Sequence, residues 1–460
     1  MKISLLNLGC KVNQYEIDAI SASLTEHELI NELENADIYI LNTCAVTAEA
    51  EKKSRQYIAK INKINPNAQI IVCGCASEHS SKQFAGKPNV VAIIGTAGKG
   101  GIKNIVESVV HYVTSNKKDG NTNAEKEKNS GNVLGDKLKE GVKEIPCVYE
   151  DDLFSRQTRT RGYLKIQDGC DCFCSYCLIP FIRGRSRSRP LSSIVKEAQS
   201  LSETCLEIVI TGINMSDFKI DKKPALEKLM TSLGGVNCRF RLSSLENGVI
   251  TDEFLVALGA LKNFCPHFHL SLQSGSNKVL KDMNRRYTRE DFLKKVELIY
   301  KYFPQAAITT DIIVGYPTET DGDFNDTLDL VRESRFAAVH FFAYSNRAGT
   351  VAGRLPQING VIIKQRENVL RKLSQEYEQK YISKFISEPL EVLIEEKVGD
   401  FFVGYSQNYI RCYVRQNNIN GIKGGQYDET VGFVKSAAQK LNCMVRVVGK
   451  ELFKDGLLCE

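Results

Sequence analysis

The chain has 460 residues, of which 42% are hydrophobic and 25% charged, a composition typical of a globular protein with two or three domains. No run of about eighteen apolar residues occurs, and the N-terminal segment MKISLLNLGCKV is charged too early for a signal peptide, which argues against membrane and secreted proteins. Fifteen cysteines in such a chain predict a reduced, cytoplasmic protein with thiolate metal ligands, and the net charge of +6 permits a polyanionic partner.

The first predicted domain covers residues 1–114. Short apolar runs such as ISLLNLG, DIYILNT, QIIVCGC and VVAIIG alternate there with helical patterns that begin near Asn13, Thr47 and Ile102. This alternation predicts a small parallel sheet flanked by helices. Residues 115–145 are rich in Lys, Glu, Asn and Gly and have few apolar side chains to bury, so we expect a linker there.

Three cysteines end successive apolar runs of this first domain: Cys10, Cys44 and Cys75. Because the carboxyl ends of strands in an open α/β sheet converge on one crevice, these thiols can meet and bind an iron–sulfur cluster. The alternative is that each is a small buried hydrophobic residue, as free cysteines often are. Cys73 competes with Cys75 by proximity, but it still belongs to the apolar run, so we favour Cys75.

The second predicted domain covers residues 146–388 and contains repeated strand–helix units. Six strand candidates occur, and each but the last is followed by a helical stretch, which predicts a parallel sheet curled into a partial (β/α)6 barrel. Active-site residues of such a sheet lie at the carboxyl ends of its strands. A long helical pattern from about Ile362 to Phe385 follows the sixth strand. The six candidates are YLKIQ, LEIVIT, CRFRLSS, HFHLSLQ, ITTDIIV and AVHFFAY.

A cysteine loop follows the first of these six strands and places Cys170, Cys174 and Cys177 in a CxxxCxxC spacing. Three thiolates so spaced can ligate three irons of a [4Fe–4S] cluster and leave the fourth iron open for a small molecule. A zinc site is the alternative, but it usually needs four ligands, and neither a nearby His nor a second CxxC supplies the fourth. Cys172 does not fit this spacing, and we interpret it as a bystander.

Alternating arginines follow the cysteine loop in the segment RGRSRSRP, where we expect Arg183, Arg185, Arg187 and Arg189 to contact RNA phosphates. The alternative is a solvated strand face. The last segment, residues 389–460, alternates short strands with glycine-rich turns and predicts a small antiparallel β-barrel. Its five strand candidates are LEVLIEE, FFVGYS, IRCYVR, TVGFVKSA and CMVRVVG.

The predicted barrel also has a basic and aromatic character that suits RNA. Residues 404–450 contain seven Lys or Arg against two Asp or Glu. Base stacking on aromatic rings adds about 1–3 kcal/mol per base, and phosphate contacts add salt-dependent affinity. We therefore predict RNA contacts at Tyr405, Tyr409 and Arg411, with tyrosines buried in the strands as the competing interpretation.

The cysteine loop, with the aromatic Tyr176 before its last cysteine, resembles the signature of the radical S-adenosylmethionine (radical SAM) superfamily. Nearly the whole chain resembles the methylthiotransferase family within it, including a C-terminal barrel of the TRAM kind. It is most similar to the MtaB branch, the transfer-RNA N6-threonylcarbamoyladenosine methylthiotransferases. The strings that carry this resemblance are LGCKVNQYE, NTCAVT, GCDCFCSYCLIPFIRGRSRSRP, LSLQSGS, DIIVGYPTET and YSNRAGT. Thr318, Ser77 and Glu78 depart from the common family pattern.

The resemblance implies two [4Fe–4S] clusters and S-adenosylmethionine as cofactors. Cys170, Cys174 and Cys177 would hold the cluster that binds and cleaves S-adenosylmethionine, with no other catalytic residue. The set Cys10, Cys44 and Cys75 would hold an auxiliary cluster that carries the transferred sulfur. The residues implied to contact S-adenosylmethionine are Tyr176, Thr211, Gly212, Ser243, Ser244, Glu246, Gln273, Asp311, Val314 and Gly315.

The implied product is 2-methylthio-N6-threonylcarbamoyladenosine at position 37 of transfer RNA. The implied partners are that transfer RNA and an electron donor such as flavodoxin or ferredoxin, with no membrane and a monomeric enzyme. Two sister reactions stay open: methylthiolation of isopentenyladenosine, whose enzymes usually read GCQMN, and of a ribosomal-protein aspartate, whose enzymes read GCPKN. Lys11, Val12 and Asn13 match neither sister. An alternative of a different class is a non-catalytic RNA-binding protein with structural clusters.

Overall fold

The computed structural model describes residues 1–460 except 31–32, 34–35, 119–144, 156, 158–159 and 416–442. The chain divides into two compact units, which are described separately below. The first unit comprises residues 1–157, 165–197 and 345–353, and the second comprises residues 158–164, 198–344 and 354–460. The predicted linker lies outside the described residues except at its ends, where residues 115–118 complete a helix and Ile145 follows the gap. The predicted domain boundaries stay a prediction.

The first unit contains a parallel five-stranded sheet, as the alternating pattern of residues 1–114 predicts. Its strands, in spatial order, are Glu28–Ile30, Lys2–Asn7, Ile38–Thr43, Gln69–Gly74 and Val90–Ile93. Helices follow at Lys11–Ser23, Ala48–Ile64, Cys75–His79, Ser81–Ala85 and Ile102–Lys118, with a 3-10 turn at Lys99–Gly101.

Both faces of this sheet are covered. Ile38 and Ile40 lie in one buried apolar cluster, whereas Tyr39 and Leu41 lie in the other. Strand side chains point alternately to the two faces, so a strand buried on both sides reads as a continuous apolar run. This explains why the strands of this unit are recognisable in the sequence.

The remainder of the first unit carries the cysteine loop. The strand Arg161–Asp168 begins in the second unit and ends in the first, where it pairs antiparallel with Arg187–Ser188. The loop follows directly at Gly169 and leads into the short helix Ile179–Arg183, and the helix Leu191–Ser202 comes next. The loop therefore starts at the carboxyl end of a strand, as the sequence predicts.

The second unit contains the parallel strands predicted for a curled (β/α)6 sheet. Glu207–Gly212 pairs with Arg239–Leu242, and a second run is ordered Ser244–Leu245, His267–Gln273, Ala307–Val314 and Ala338–Ala343, with every pairing parallel. A small hairpin joins Lys219–Ile220 to Lys223–Pro224. The helices are Leu226–Ser232, Asp252–Ala260, Asn277–Asp282, Arg289–Tyr302, Asp321–Ser334 and Gly360–Ser383. The predicted α/β class is confirmed.

A closed five-stranded barrel ends the second unit and corrects one detail of the prediction. Its strands, in order around the barrel, are Pro389–Val398, Phe401–Ser406, Arg411–Arg415, Gly456–Cys459 and Cys443–Phe453. Arg411–Arg415 and Gly456–Cys459 pair parallel, so the barrel is not wholly antiparallel. Directions cannot alternate around an odd number of strands, and closure therefore requires a parallel pair. The predicted strand TVGFVKSA lies outside the described residues.

A buried ionic cluster in the second unit joins the parallel strands to this barrel. Glu207 is paired with Arg161 at 2.9 Å, Arg239 at 3.1 Å and Arg241 at 2.8 Å. Arg241 also donates to the carbonyl oxygens of Ser406 and Gln407, at 3.2 Å each. Burial opposes ionisation of Glu207, but the charges of Arg241, Arg239 and Arg161 hold its pKa well below its usual range.

We expect Glu207→Gln to destabilise the protein by about 3–5 kcal/mol, because removing one partner leaves buried guanidinium charges uncompensated. The measurement is urea denaturation at pH 7, with Glu376→Gln as the matched control. Glu376 forms an exposed pair with Lys380, so its loss should cost less than about 1 kcal/mol. Because the folded state lowers the pKa of Glu207, the stabilisation is complete above about pH 4.3 and is lost as the pH falls further. Equal stabilities at pH 7 would contradict the ionic role.

Candidate active site

The first set of predicted ligands lies at one edge of the parallel sheet in the first unit. Cys10 immediately precedes the helix Lys11–Ser23, Cys44 follows the strand Ile38–Thr43, and Cys75 begins the helix Cys75–His79. The three strands that precede these cysteines are neighbours in the sheet and run parallel. Their carboxyl ends therefore bring the three thiols to one place.

Burial and the neighbouring charges shift the pKa values of two of these thiols. Burial, opposed by the Val46 amide and reinforced by the charges of Cys75 and Cys10, raises the pKa of the Cys44 thiol to about 11. Burial also raises the pKa of Cys75, although the charge of Arg183 opposes this rise. Both thiols would give up a proton on binding a metal, as thiolate ligands do.

Each thiol of this first set has a polar partner. The Val46 amide donates to Cys44 Sγ at 3.5 Å, Cys10 Sγ donates to Asn13 Oδ1 at 3.3 Å, and Arg183 Nε donates to Cys75 Sγ at 3.2 Å. Gly74, which precedes Cys75, has a φ of +103°, and a Cβ there would collide with Asn42 and with the Thr43 backbone. A glycine is required at this position to start the Cys75 helix against the neighbouring strand.

Cys73 lies away from this set although it is two residues from Cys75. It packs in the apolar cluster on one face of the sheet, whereas Cys75 belongs to the cluster on the other face. Burial raises the pKa of the Cys73 thiol to about 12. This environment suits a small buried hydrophobic residue and favours Cys75 as the ligand.

The second set of predicted ligands lies in the loop after Asp168. The Cys170 amide donates to the Gly184 carbonyl at 3.0 Å, and the Cys177 amide donates to the Cys174 carbonyl at 3.0 Å. The Cys172 and Ile179 amides donate to Cys170 Sγ at 3.5 Å and Cys177 Sγ at 3.4 Å. The pKa of Cys170 is lowered, first by a hydrogen bond from the Cys172 side chain. Cys172, interpreted as a bystander, thus contacts a predicted ligand.

Both sets fit an iron–sulfur cluster in their donor atoms. Each offers three thiols, and Cys44, Cys170 and Cys177 each accept a hydrogen bond from the amide two residues further on. Amide hydrogen bonds to cysteine sulfurs stabilise the thiolate and tune the potential of such clusters. Within the described parts of the chain, no group of three or more His, Cys, Asp or Glu is arranged to hold a single metal ion. A cluster differs from such a site because it divides its thiolates among several irons.

The residues implied to contact S-adenosylmethionine lie in both units. Tyr176 is in the cysteine loop of the first unit. The others lie in the second unit, in or immediately after its parallel strands, and all but Asp311 and Ser244 lie at or beyond the carboxyl ends. They are Thr211, Gly212, Ser243, Ser244, Glu246, Gln273, Asp311, Val314 and Gly315.

Two carboxylates of this set already have cationic or imidazole partners within the second unit. Glu246 accepts a hydrogen bond from Arg285, which also donates to the Ser271 carbonyl at 2.9 Å. Asp311 lies 3.1 Å from His269. The sequence analysis missed Arg285 and His269, because neither belongs to a motif and their partners lie far along the chain.

The four alternating arginines do not form one exposed face. Arg183, Arg187 and Arg189 are 0%, 8% and 1% exposed, whereas the Arg185 side chain is 70% exposed. Arg189 binds Asp151 at 2.6 Å and also Glu197. The guanidinium groups of the three buried arginines bind carboxylates and carbonyls inside the unit, which argues against the predicted phosphate contact at these three positions. For Arg185 the contact stays a prediction.

The predicted RNA-binding residues of the barrel contact other side chains of the second unit. The Tyr409 ring stacks on Tyr405 and on His267, with ring centroids 4.8 Å apart in both pairs. Arg411 pairs with Glu396 at 2.9 Å and with Asp455 at 2.8 Å. Tyr405, Tyr409 and Arg411 also line a cavity of about 180 Å³. Their contact with RNA stays a prediction.

Comparison with known proteins identifies the family. Residues 164–331 match the model of the Radical SAM superfamily, and residues 2–95 match Uncharacterized protein family UPF0004. The chain is 36% identical to the threonylcarbamoyladenosine tRNA methylthiotransferase MtaB of Bacillus subtilis, across 89% of both proteins. The chain belongs to the methylthiotransferase family of radical SAM enzymes. This methylthiotransferase is also 32% identical to the ribosomal protein uS12 methylthiotransferase RimO of Clostridioides difficile, across 93% of the chain and 95% of that protein.

A solved structure supports the fold of this methylthiotransferase. The radical S-adenosylmethionine methyltransferase TsrM of Kitasatospora setae matches 76% of the chain and 77% of its own length, with a TM-score of 0.50. Its sequence is 15% identical, so the similarity concerns the fold alone. In the parts of the methylthiotransferase that the structure describes, we find no helix with the length and hydropathy needed to cross a bilayer.

Proposed function

We propose that this methylthiotransferase adds a methylthio group to C2 of N6-threonylcarbamoyladenosine at position 37 of transfer RNA. The observation that carries the proposal is the presence of two separate three-cysteine sets in one compact unit. The 36% identity with the enzyme named for threonylcarbamoyladenosine supports this substrate. The triplet of Lys11, Val12 and Asn13 after the first cysteine supports the same substrate.

The two sets have different proposed tasks. Cys170, Cys174 and Cys177 would hold the cluster that binds S-adenosylmethionine, and Cys10, Cys44 and Cys75 would hold the auxiliary cluster. When bound, these groups supply a 5′-deoxyadenosyl radical and the sulfur for transfer. The chain itself fixes the sulfur positions through the amides of Val46, Cys172 and Ile179.

The burial of the first set indicates where the substrate would approach. Cys44 and Cys75 are buried, whereas Cys10 is exposed. The open side of this set therefore lies at Cys10, and the target base would reach the auxiliary site from there. The buried side excludes water from the reacting sulfur, which protects a radical reaction from side reactions.

The S-adenosylmethionine contacts remain part of the proposal. Their support is the position of most of these residues at the carboxyl ends of parallel strands, where ligands bind in such sheets. In this assignment Arg285 orients Glu246, and His269 orients Asp311. A low-potential donor such as flavodoxin or ferredoxin would supply the electron, and Arg185 would meet the phosphates of the transfer RNA.

Mass spectrometry of transfer-RNA nucleosides from cells lacking this gene tests the substrate. We expect 2-methylthio-N6-threonylcarbamoyladenosine to disappear and N6-threonylcarbamoyladenosine to accumulate. The wild-type gene should restore the product. The matched controls are 2-methylthio-isopentenyladenosine and the mass of ribosomal protein uS12, which should not change. Loss of either modification, with unchanged 2-methylthio-N6-threonylcarbamoyladenosine, would reassign the enzyme to the corresponding sister reaction.

A further inference from the structure

Arg183 connects the two cysteine sets of the first unit. It ends the helix Ile179–Arg183, is 0% exposed, and donates from Nε to Cys75 Sγ at 3.2 Å. A guanidinium group is planar, permanently charged and able to donate in several directions at once. Its direct contact with a proposed ligand sulfur gives it a means to act on the auxiliary cluster.

The outer nitrogens of Arg183 hold it in place and extend its reach. Nη1 donates to Glu16 Oε1 at 2.9 Å and to Asp168 Oδ1 at 3.2 Å. Nη2 donates to Asn13 Oδ1 at 3.3 Å, and the same oxygen accepts from Cys10 Sγ at 3.3 Å. One guanidinium therefore contacts Cys75 directly and is linked to Cys10 through Asn13.

The backbone around Arg183 also fixes the loop of the other set. Gly184, the next residue, accepts a hydrogen bond from the Cys170 amide at 3.0 Å. Asp168, a partner of Arg183, accepts from the Gly169 amide at 2.7 Å, immediately before Cys170. The position of Arg183 is thus tied to the start of the second cysteine set.

The charges around Arg183 suit an anionic neighbour. Arg183 belongs to a buried cluster with four cations and two carboxylates, so the cluster has an excess of two positive charges. The half-buried carboxylate of Glu78 also interacts with Lys99 and Arg183, and burial raises its pKa, whereas the carboxylates of Glu150 and Asp152 face the same region and are exposed. Buried cations are costly unless they are paired, and an iron–sulfur cluster with three thiolate ligands is anionic. The members of this charge cluster are Glu16, Lys99, Lys165, Asp168, Arg183 and Arg187.

We propose that Arg183 is a positioning residue that orients the Cys75 sulfur and raises the reduction potential of the auxiliary cluster. This inference rests on the proposed function, because it requires a cluster at Cys10, Cys44 and Cys75. A hydrogen bond to a ligand sulfur and a nearby positive charge both stabilise the reduced, more negative state of a cluster. Arg183 supplies both from a site closed to solvent.

The test uses the full chain with Cys170, Cys174 and Cys177 replaced by alanine, so that only the auxiliary cluster is present. Reduction by dithionite is followed potentiometrically with electron paramagnetic resonance. Arg183→Met should shift the midpoint potential to a more negative value, because it removes the charge and the donor. Arg183→Lys should give a smaller negative shift, since it keeps the charge and loses the planar contacts. Arg185→Met, the exposed neighbour, should give no shift.

The outcomes separate this inference from the proposed function. If the background protein binds no cluster, the proposed function and the role of Arg183 both fail. If it binds a cluster whose potential and resonance spectrum are unchanged in Arg183→Met, the role of Arg183 is overturned and the two-cluster assignment stands. If Arg183→Met does not fold, Arg183→Lys decides the question, and an unchanged potential there overturns the role.

Discussion

Replacing Cys170 by alanine is expected to abolish reductive cleavage of S-adenosylmethionine, with 5′-deoxyadenosine falling at least about 100-fold, to the level without enzyme. Cys170 is one of three thiols that leave a fourth iron open, so its loss removes a ligand that the spacing cannot replace. The measurement is 5′-deoxyadenosine released by the reconstituted, dithionite-reduced protein, quantified by mass spectrometry. The same assay separates an enzyme from a non-catalytic RNA-binding protein.

Cys172 provides the matched control, because it lies in the same loop and is not predicted to bind iron. Its amide donates to Cys170 Sγ, and a Cys172→Ala protein keeps that backbone hydrogen bond. It loses the side-chain contact that helps to lower the pKa of Cys170. We expect Cys172→Ala to retain cleavage within about threefold of wild type. Equal loss of cleavage in both variants would overturn the ligand assignment. Release of 5′-deoxyadenosine by the Cys170→Ala protein would do the same.

The fold was largely predictable because several of its parallel strands are buried on both faces. Runs such as IYILNT and EIVITG are mostly apolar and are therefore recognisable as buried strands. Thr47 caps the start of the helix Ala48–Ile64, where its side chain accepts a hydrogen bond from the Ala50 amide at 3.1 Å. The last barrel strand, Gly456–Cys459, was missed. It has four residues, and it pairs parallel with Arg411–Arg415, a contact that no local pattern reveals.

The candidate site was predictable in its cysteines and not in its charges. The cysteine spacing and the positions of strand ends identify Cys10 and Cys170 as ligand candidates, because both lie in short motifs. The alternation of the four arginines suggested one face, but Arg183 ends a helix and Arg187 lies in a two-residue strand, so the alternation does not describe one element. The position of Glu16 could have predicted a buried ion pair. It is a carboxylate between the buried side chains of Tyr15 and Ile17, and a buried charge needs a partner.

Replacing Cys75 by alanine is expected to leave cleavage of S-adenosylmethionine intact and to eliminate the methylthio product. Cys75 lies with Cys10 and Cys44 at the edge of the sheet and accepts a hydrogen bond from Arg183, whereas the ligands of the other cluster are untouched. The chain would then generate a radical without a sulfur to transfer. The measurements are 5′-deoxyadenosine and the methylthiolated nucleoside from the same reaction, with transfer RNA that carries N6-threonylcarbamoyladenosine as substrate.

Cys73 is the matched control for Cys75, because it is also a cysteine, lies two residues from Cys75 and packs on the opposite face of the sheet. Its thiol packs among apolar side chains, so Cys73→Ala removes one buried sulfur and should cost about 1–2 kcal/mol of stability without loss of either product. If Cys73→Ala stops sulfur transfer and Cys75→Ala does not, the ligand is Cys73. If methylthiolated nucleoside still forms in both Cys73→Ala and Cys75→Ala, the sulfur does not come from this site, and the assignment of different tasks to the two cysteine sets is wrong.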